Sequence, residues 1–597
     1  MKLAFAVPLL VALGTPTLRA QPASAPAEKA APAKYAVKRV SLSGAYADLP
    51  EQGLDLASLL MGGGAPPKSF YEMLDKLDEL AKAEGDAPIL FDLSDGVGLN
   101  QAQLAEVERV FVKLRKAGKK TYAYLEGADS VRYQIAVQCD EIAIADMGGI
   151  DLVAPSLSIS YMKDLYDLLG IHFDVLRCGE FKGAAEPYML SRMSDHLRAH
   201  LEEMLARMNG EIVQRIAVRR GLRAERVREL QARRIWRADD ARAAGLVDRI
   251  VPWAGVEKAA EQIFGRDDLA FEAVLSGKKR RKSVNPLSLL AELLNPKEVD
   301  AIEDSSLVVL HLTGPIVDGK KAQPGTLVSE PTVKLIRQVA DDEKVKGVVL
   351  RVNSPGGSAT ASEAIRVALA ELADKKPVVY SMGRVAGSGG YWITCIGQPV
   401  LAEIGTITGS IGVLGVKTNL GPLFRRAGIQ EEVIALDASA EMTSPTRGWT
   451  DAEKQNLQGM IDDVYHRFLA LVAKSRAMKV EEVEPLAGGR VYSGGHAAEL
   501  HLVDRVGGLD EAIAMVKKAA KVDGDIEVTH LPRPRSFMDA VAEELLSVRA
   551  LIPAGPVQVL LRRIGPAVGA CTVLQDALVG DGSLKVWALT PDFEIRF

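Results

Sequence analysis

The sequence predicts an α/β protein made of one unit used twice, each copy holding a mostly parallel sheet. Three observations lead there. Apolar runs alternate with longer helical patterns, as in Val348–Val352, then Thr360–Asp374, then Val378–Tyr380. That alternation is the pattern of βαβ units. Five stretches of the first half recur in the same order in the second, and their offsets of about 256 to 270 residues are those of a whole domain.

In chain order, Val37–Gly44 resembles Leu307–Gly314, each a strand running into a glycine turn. Pro88–Gly98 resembles Gly347–Gly357. Tyr122–Tyr133 overlays Tyr380–Tyr391 without a gap at an offset of 258, and Val175–Pro187 overlays Val433–Pro445 at the same offset. Trp236–Asp248 matches Tyr492–Asp504 at an offset of 256. These matches set two repeats, 37–265 and 306–526. Thr360–Glu363 and Thr450–Glu453 read as capping boxes that open helices. Leu197, Leu201, Met204, Leu205 and Met208 hold helical spacing, as do Leu457, Met460, Ile461, Val464, Phe468 and Val472, and both stripes predict core faces.

The flanks have a different texture. Lys2 precedes an apolar run from Leu3 to Leu13, then Gly14, Pro16 and small residues near Ala20. This is the pattern of a secretory leader, 1–20, and is too short for a spanning helix. Retention as an uncleaved anchor is the alternative. Residues 21–36 are an Ala/Pro tether with little to bury. A connector, 266–305, holds the basic run Lys278–Lys282 and the leucine-rich Pro286–Pro296; it reads as a solvated link or as a contact for anionic lipid. Residues 527–597 form an extension with a helical pattern at Ala540–Leu551 and a strand-like Lys585–Leu589, to which the sequence assigns no role.

A net charge of −5 speaks against a general nucleic-acid binder. The four cysteines, Cys139, Cys178, Cys395 and Cys571, are too scattered for a zinc site and too few for a disulfide scaffold, though one disulfide stays open for an exported chain. No metal or cofactor is expected.

The chemistry concentrates at Met382–Trp392, where Ser388 stands among Gly383, Ala386, Gly387, Gly389 and Gly390. A strand, a tight glycine turn, a serine and a helix start would present a nucleophile beside free backbone amides. Alone, this is equally an ordinary Gly-rich turn. The repeat adds weight where its copies differ. Ser388 aligns with Ser130, which is followed by Val131 and Arg132 rather than two glycines. Lys182 aligns with Ala440. One copy keeps a hydroxyl in a glycine turn and the other keeps an amine, so the two point to a single composite site. A lysine desolvated among Phe181, Gly183, Ala184 and Ala185 can act as the base for a serine. Spacing alone leaves it one surface lysine among many. No histidine stands in an obvious partner position.

Asn353–Ser358, the Ser388 turn, Thr408–Gly412 and Phe181–Pro187 together resemble the long form of signal peptide peptidase A, over roughly residues 37–520. That bacterial Ser/Lys protease family has a duplicated fold of the Clp protease/crotonase type. The resemblance implies Ser388 as nucleophile, Lys182 as general base, the amides of Gly389 and Gly357 as oxyanion hole, and Ser410 as a hydroxyl orienting the amine. It also implies peptide substrates (remnant signal peptides or other unfolded segments), no ATP or metal and a bowl-shaped homotetramer, while the leader pattern points to an exported, periplasmic protein. Two departures stand out. Gly387 replaces the family's usual alanine, and the leader reads as cleavable where long-form members keep an anchor. A non-catalytic peptide-binding scaffold and a crotonase-type acyl-CoA enzyme are the competing readings; the first requires Ser388 and Lys182 to lie too far apart to share a proton.

Overall fold

The computed structural model describes residues 35–49, 66–275, 302, 304–533, 586–589 and 594–596. The leader, the tether up to residue 34, the connector from 276 to 301 and the helical pattern at 540–551 lie outside the described residues.

Two sheets carry one strand order. The first runs Arg249–Val251, Glu141–Ala145, Thr121–Leu125, Ile89–Asp92, Tyr35–Ser41 and Leu269–Ala273. In the second, Arg505–Val506, Val400–Ala402, Val378–Gly387, Val345–Ser354, Ser306–Thr313 and Glu527–Leu531 take the matching places. All these ladders are parallel. Runs such as Val348–Leu350 are fully buried, because helices cover both faces of a parallel sheet. The duplication reaches individual side chains. The Tyr133 hydroxyl donates to the Leu246 carbonyl at 2.8 Å, and that of Tyr391 to the Leu502 carbonyl at 2.6 Å. Arg220–Asp248 and Arg476–Asp504 are matching ion pairs, each at 2.7 Å.

Several sequence expectations shift. Each copy outruns its predicted boundary at 265 or 526, because Leu269–Ala273 and Glu527–Leu531 add a last strand beside the first. Both strands mix charged and apolar residues, which hid them. The helix after Gly357 spans Ala359–Lys375 and is capped by Ser358, whose hydroxyl accepts from the Ala361 amide, so Thr360–Glu363 is not its box. Glu363 instead accepts from the Trp392 indole N–H at 2.8 Å. Thr450 and Glu453 do form a box, opening Asp451–Arg476. On that helix Leu457, Ile461, Phe468 and Val472 are buried while Met460 faces outward.

The copies are fastened in two ways. Arg351, 1% exposed, reaches Asp48 at 3.0 Å and Glu106 at 2.7 Å, while Arg109 pairs with Glu403 and with Asp510. In addition, His172–Cys178 of the first copy lies antiparallel to Val413–Asn419 of the second along its whole length. The overlay's counterpart of that donated strand, 430–436, forms no strand, and its Ile434 and Leu436 stand fully exposed. Among the described residues no helix is long and apolar enough to cross a membrane.

Candidate active site

Ser388 stands where the strand Val378–Gly387 meets the single helical turn Gly389–Trp392. The glycine turn predicted upstream is strand instead, since the ladders to the neighbouring strands continue through Ala386 and Gly387. The chain reverses at Ser388 itself, with φ 54° and ψ −115°. Such a conformation costs a non-glycine residue roughly 1–3 kcal/mol and persists only where its surroundings enforce it. They do. The Ser388 amide donates to the Gly409 carbonyl at 2.8 Å, and the Thr408 hydroxyl to the Ala386 carbonyl at 2.7 Å. A Cβ at Gly390 would lie 2.3 Å from the Ser354 carbonyl oxygen, so only glycine lets the turn close.

Lys182 follows the donated strand His172–Cys178, which carries it from the first copy into the second. Its Nζ lies 2.6 Å from Ser388 Oγ, 2.9 Å from the Ser410 carbonyl oxygen and 3.1 Å from Ser410 Oγ. Lys182, Ser388 and Ser410 are all fully buried. Burial holds the amine's pKa well below the usual lysine range. A neutral amine has two N–H groups and one lone pair. With both oxygens of Ser410 taking hydrogens, the lone pair is left for the Ser388 hydroxyl.

Gly357 and Gly389 complete the surroundings. A Cβ at Gly357 would meet the Ile316 carbonyl oxygen at 1.9 Å, and one at Gly389 would sit 3.1 Å from the Gly357 amide nitrogen. Two glycine backbones therefore converge beside the serine. In the first copy the equivalent hydroxyl is consumed: Ser130 Oγ accepts from the Val153 amide at 2.7 Å and donates to its carbonyl at 3.1 Å.

The sequence model of peptidase family S49 matches residues 113–265 and 370–523, once within each copy. The chain belongs to peptidase family S49. It is 28% identical to Protease 4 of Salmonella typhi over 530 residues, covering 86% of this chain and 83% of that protein. With Protease 4 of Haemophilus influenzae the identity is 29% over 490 residues, covering 79% and 77% of the two chains. The chloroplastic serine protease SPPA of Arabidopsis thaliana is 26% identical over 449 residues, 74% of this chain and 65% of its own. This chain is thus a serine peptidase with two S49 domains in tandem.

Sequence reasoning missed what seats the lysine in this S49 peptidase. The turn Ala487–Arg490 of the second copy receives it: the Phe181 amide donates to the Gly488 carbonyl at 2.9 Å, and the Arg490 guanidinium lies 3.8 Å over the Phe181 ring. Gly489 packs so closely that a Cβ there would be 2.4 Å from the Lys182 amide nitrogen. The same turn holds Ser410, whose amide donates to the Arg490 carbonyl at 2.6 Å. A signal existed, since the overlay places Ala232 and Arg233 opposite the Gly488–Gly489 pair.

Proposed function

We propose that this S49 peptidase is an endopeptidase in which Ser388 is the nucleophile and Lys182 the general base. The observation that carries the reading is the 2.6 Å contact between two fully buried side chains supplied by different copies. Neutral Lys182 takes the Ser388 proton as Oγ attacks the scissile carbonyl. The amides of Gly357 and Gly389 receive the charge that develops on the carbonyl oxygen. The lysine then returns its proton to the leaving amine, leaving an acyl-enzyme at Ser388. Water, deprotonated by the same amine, hydrolyses that ester. Ser410 orients the amine throughout. Each proton moves between groups within the site, so no step calls on ATP or a metal.

The substrates are unfolded hydrophobic peptides, remnant signal peptides among them. Supporting this are the small and apolar neighbours Ala386, Ile411 and Val413 and the leader pattern, which would place the enzyme in the periplasm. Exposed Ile434 and Leu436 favour a homo-oligomer, a tetramer by family resemblance, because the donated-strand pairing of the first copy leaves this counterpart to be covered by a second molecule. The basic run Lys278–Lys282 would let the assembly touch anionic lipid. The test compares wild type with Ser388→Ala and Lys182→Ala on an unstructured hydrophobic fluorogenic peptide, without ATP, metal or CoA. Loss of cleavage in each variant, with folding intact, is the expected result. Turnover persisting in either variant removes that residue from its role.

A further inference from the structure

The turn Ala487–Arg490 that seats Lys182 runs straight into the strand Val491–Ser493. This strand lies antiparallel to Ile407–Gly409 and closes one end of the second copy's sheet. Among the described residues no strand pairs with its other side. Val491 is nonetheless only 1% exposed, so water cannot stand in for a neighbouring strand. Buried main-chain N–H and C=O groups need a partner. Here the partner is an imidazole. His200 Nε2 lies 3.0 Å from the Val491 nitrogen and 2.8 Å from its carbonyl oxygen.

The imidazole comes from the first copy. His200 stands on the helix Asp195–Arg220, whose Leu197, Leu201, Met204 and Met208 pack with Val491. Burial holds its pKa below the ordinary histidine value. Arg490 and His496 act in the same direction, while Glu203 and the bond to Val491 oppose them. A neutral ring with its proton on Nδ1 offers the Nε2 lone pair to the Val491 N–H. The same ring stands edge-on to Phe181, with centroids 5.3 Å apart, and to Tyr492 at 5.8 Å. Phe181 immediately precedes Lys182, and Val491 immediately follows Arg490, whose carbonyl accepts from the Ser410 amide. His200 therefore touches the chain that carries the amine and the chain that receives it.

The repeat isolates this feature. The matching helix of the second copy, Asp451–Arg476, has the same length of 26 residues and sets exposed Asn456 where the first copy has His200. The counterpart of Val491 is Ile235, which is exposed. The imidazole belongs to the copy that supplies the lysine.

We propose that His200 is a positioning residue for the Ser388–Lys182 pair. Its ring takes the place of a neighbouring strand at Val491 and so fixes the turn Ala487–Arg490 against Lys182 and Ser410. The proposal rests on the Ser388–Lys182 reading above and gives His200 no part in the proton transfers.

The test uses the full chain and compares wild type with His200→Ala and His200→Gln. Glutamine places an amide close to the position of Nε2, so it can keep the bond to Val491 without titrating. Kinetics are read well below the melting temperature of each variant, where a general loss of stability does not move kcat. His200→Ala should lower kcat roughly 10- to 100-fold with KM within about twofold, because the amine shifts while the peptide's own contacts stay. His200→Gln should recover kcat to within about threefold of wild type. A second arm needs no catalysis. In a Ser388→Ala background, hydrogen exchange of the segment 487–493, read by mass spectrometry, should quicken about tenfold in His200→Ala and stay slow in His200→Gln. Unchanged exchange or unchanged kcat in His200→Ala overturns the proposal, and so does an equal loss of kcat in both variants. Cleavage that survives Lys182→Ala counts against the dyad reading instead, and the exchange arm still decides whether His200 holds the turn.

Discussion

Replacing Gly489 by alanine tests whether the second copy positions Lys182, the proposed base, which the first copy supplies. The added methyl would stand 2.4 Å from the Lys182 amide nitrogen and 2.6 Å from its Cα. Ordinary contact begins near 3.4 Å, so the lysine loop or the turn must retreat by about 1 Å. A 1 Å misplacement of a reacting group costs on the order of 100-fold in rate. At 2.6 Å, the Lys182–Ser388 hydrogen bond has little slack before it opens. The alanine also carries a backbone penalty of about 1–2 kcal/mol, because Gly489 has φ +89°. Gly524→Ala is the control, since Gly524 has φ +81° and nothing within 4 Å of its Cβ position. The assay is kcat/KM on the fluorogenic peptide beside a thermal melt. Gly489→Ala should lose about 100-fold in activity while melting close to the Gly524→Ala control. Activity within twofold of wild type would refute the claim that this turn seats the lysine.

Four further outcomes follow from the same geometry. Log kcat/KM should rise with pH through the depressed Lys182 pKa and level off well below the usual lysine range, because only the neutral amine has a lone pair for the serine proton; a flat profile from about pH 5 to 10 removes Lys182 as base. Gly357→Ala should lose activity by about 100-fold or more, since its Cβ would meet the Ile316 carbonyl oxygen at 1.9 Å and displace the amide proposed as an oxyanion donor; kinetics with an intact circular dichroism spectrum checks this. Arg351→Ala should destabilise the protein by about 3–5 kcal/mol in urea unfolding, because it strands buried Asp48 and Glu106 without their cation. The double variant Ile434→Asp, Leu436→Asp should sediment as monomers with folding intact, and an unchanged oligomer would remove that segment from the interface.

What the sequence disclosed and what it withheld divide along a physical line. The duplicated sheets were legible because parallel strands buried on both faces write continuous apolar runs, and two copies of such runs can be overlaid. The pairing of Lys182 with Ser388 was legible because each copy had lost what the other kept. Strand edges were not legible: Leu269–Ala273 and Glu527–Leu531 have mixed composition, and only their neighbours make them strands. Nor was the turn at Ser388, where the bend falls on the serine rather than on a glycine. A positive φ enforced by Gly409 and Ser354 is a tertiary fact that no local pattern writes. The Gly488–Gly489 seat escaped for the same reason, since the partner it accommodates arrives from the other copy.

That division also explains why Lys182, the proposed base, sits so far along the chain from Ser388. A lysine is a base near neutral pH only when water is kept from it, and a lone loop on one domain surface cannot do that. Here the first copy delivers Lys182 at the end of a strand that has crossed into the second copy's sheet, and the second copy closes over it with Ser410, Gly489 and Arg490. Desolvation and alignment therefore arise together, from one docking event. Separating the copies would rehydrate the amine and remove it from Ser388 at the same moment. By this logic, variants that loosen the Arg351 and Arg109 networks should shift the acid limb of the pH profile upward before they abolish activity. A profile that loses height without moving would show that alignment alone, and not burial, depends on the docking.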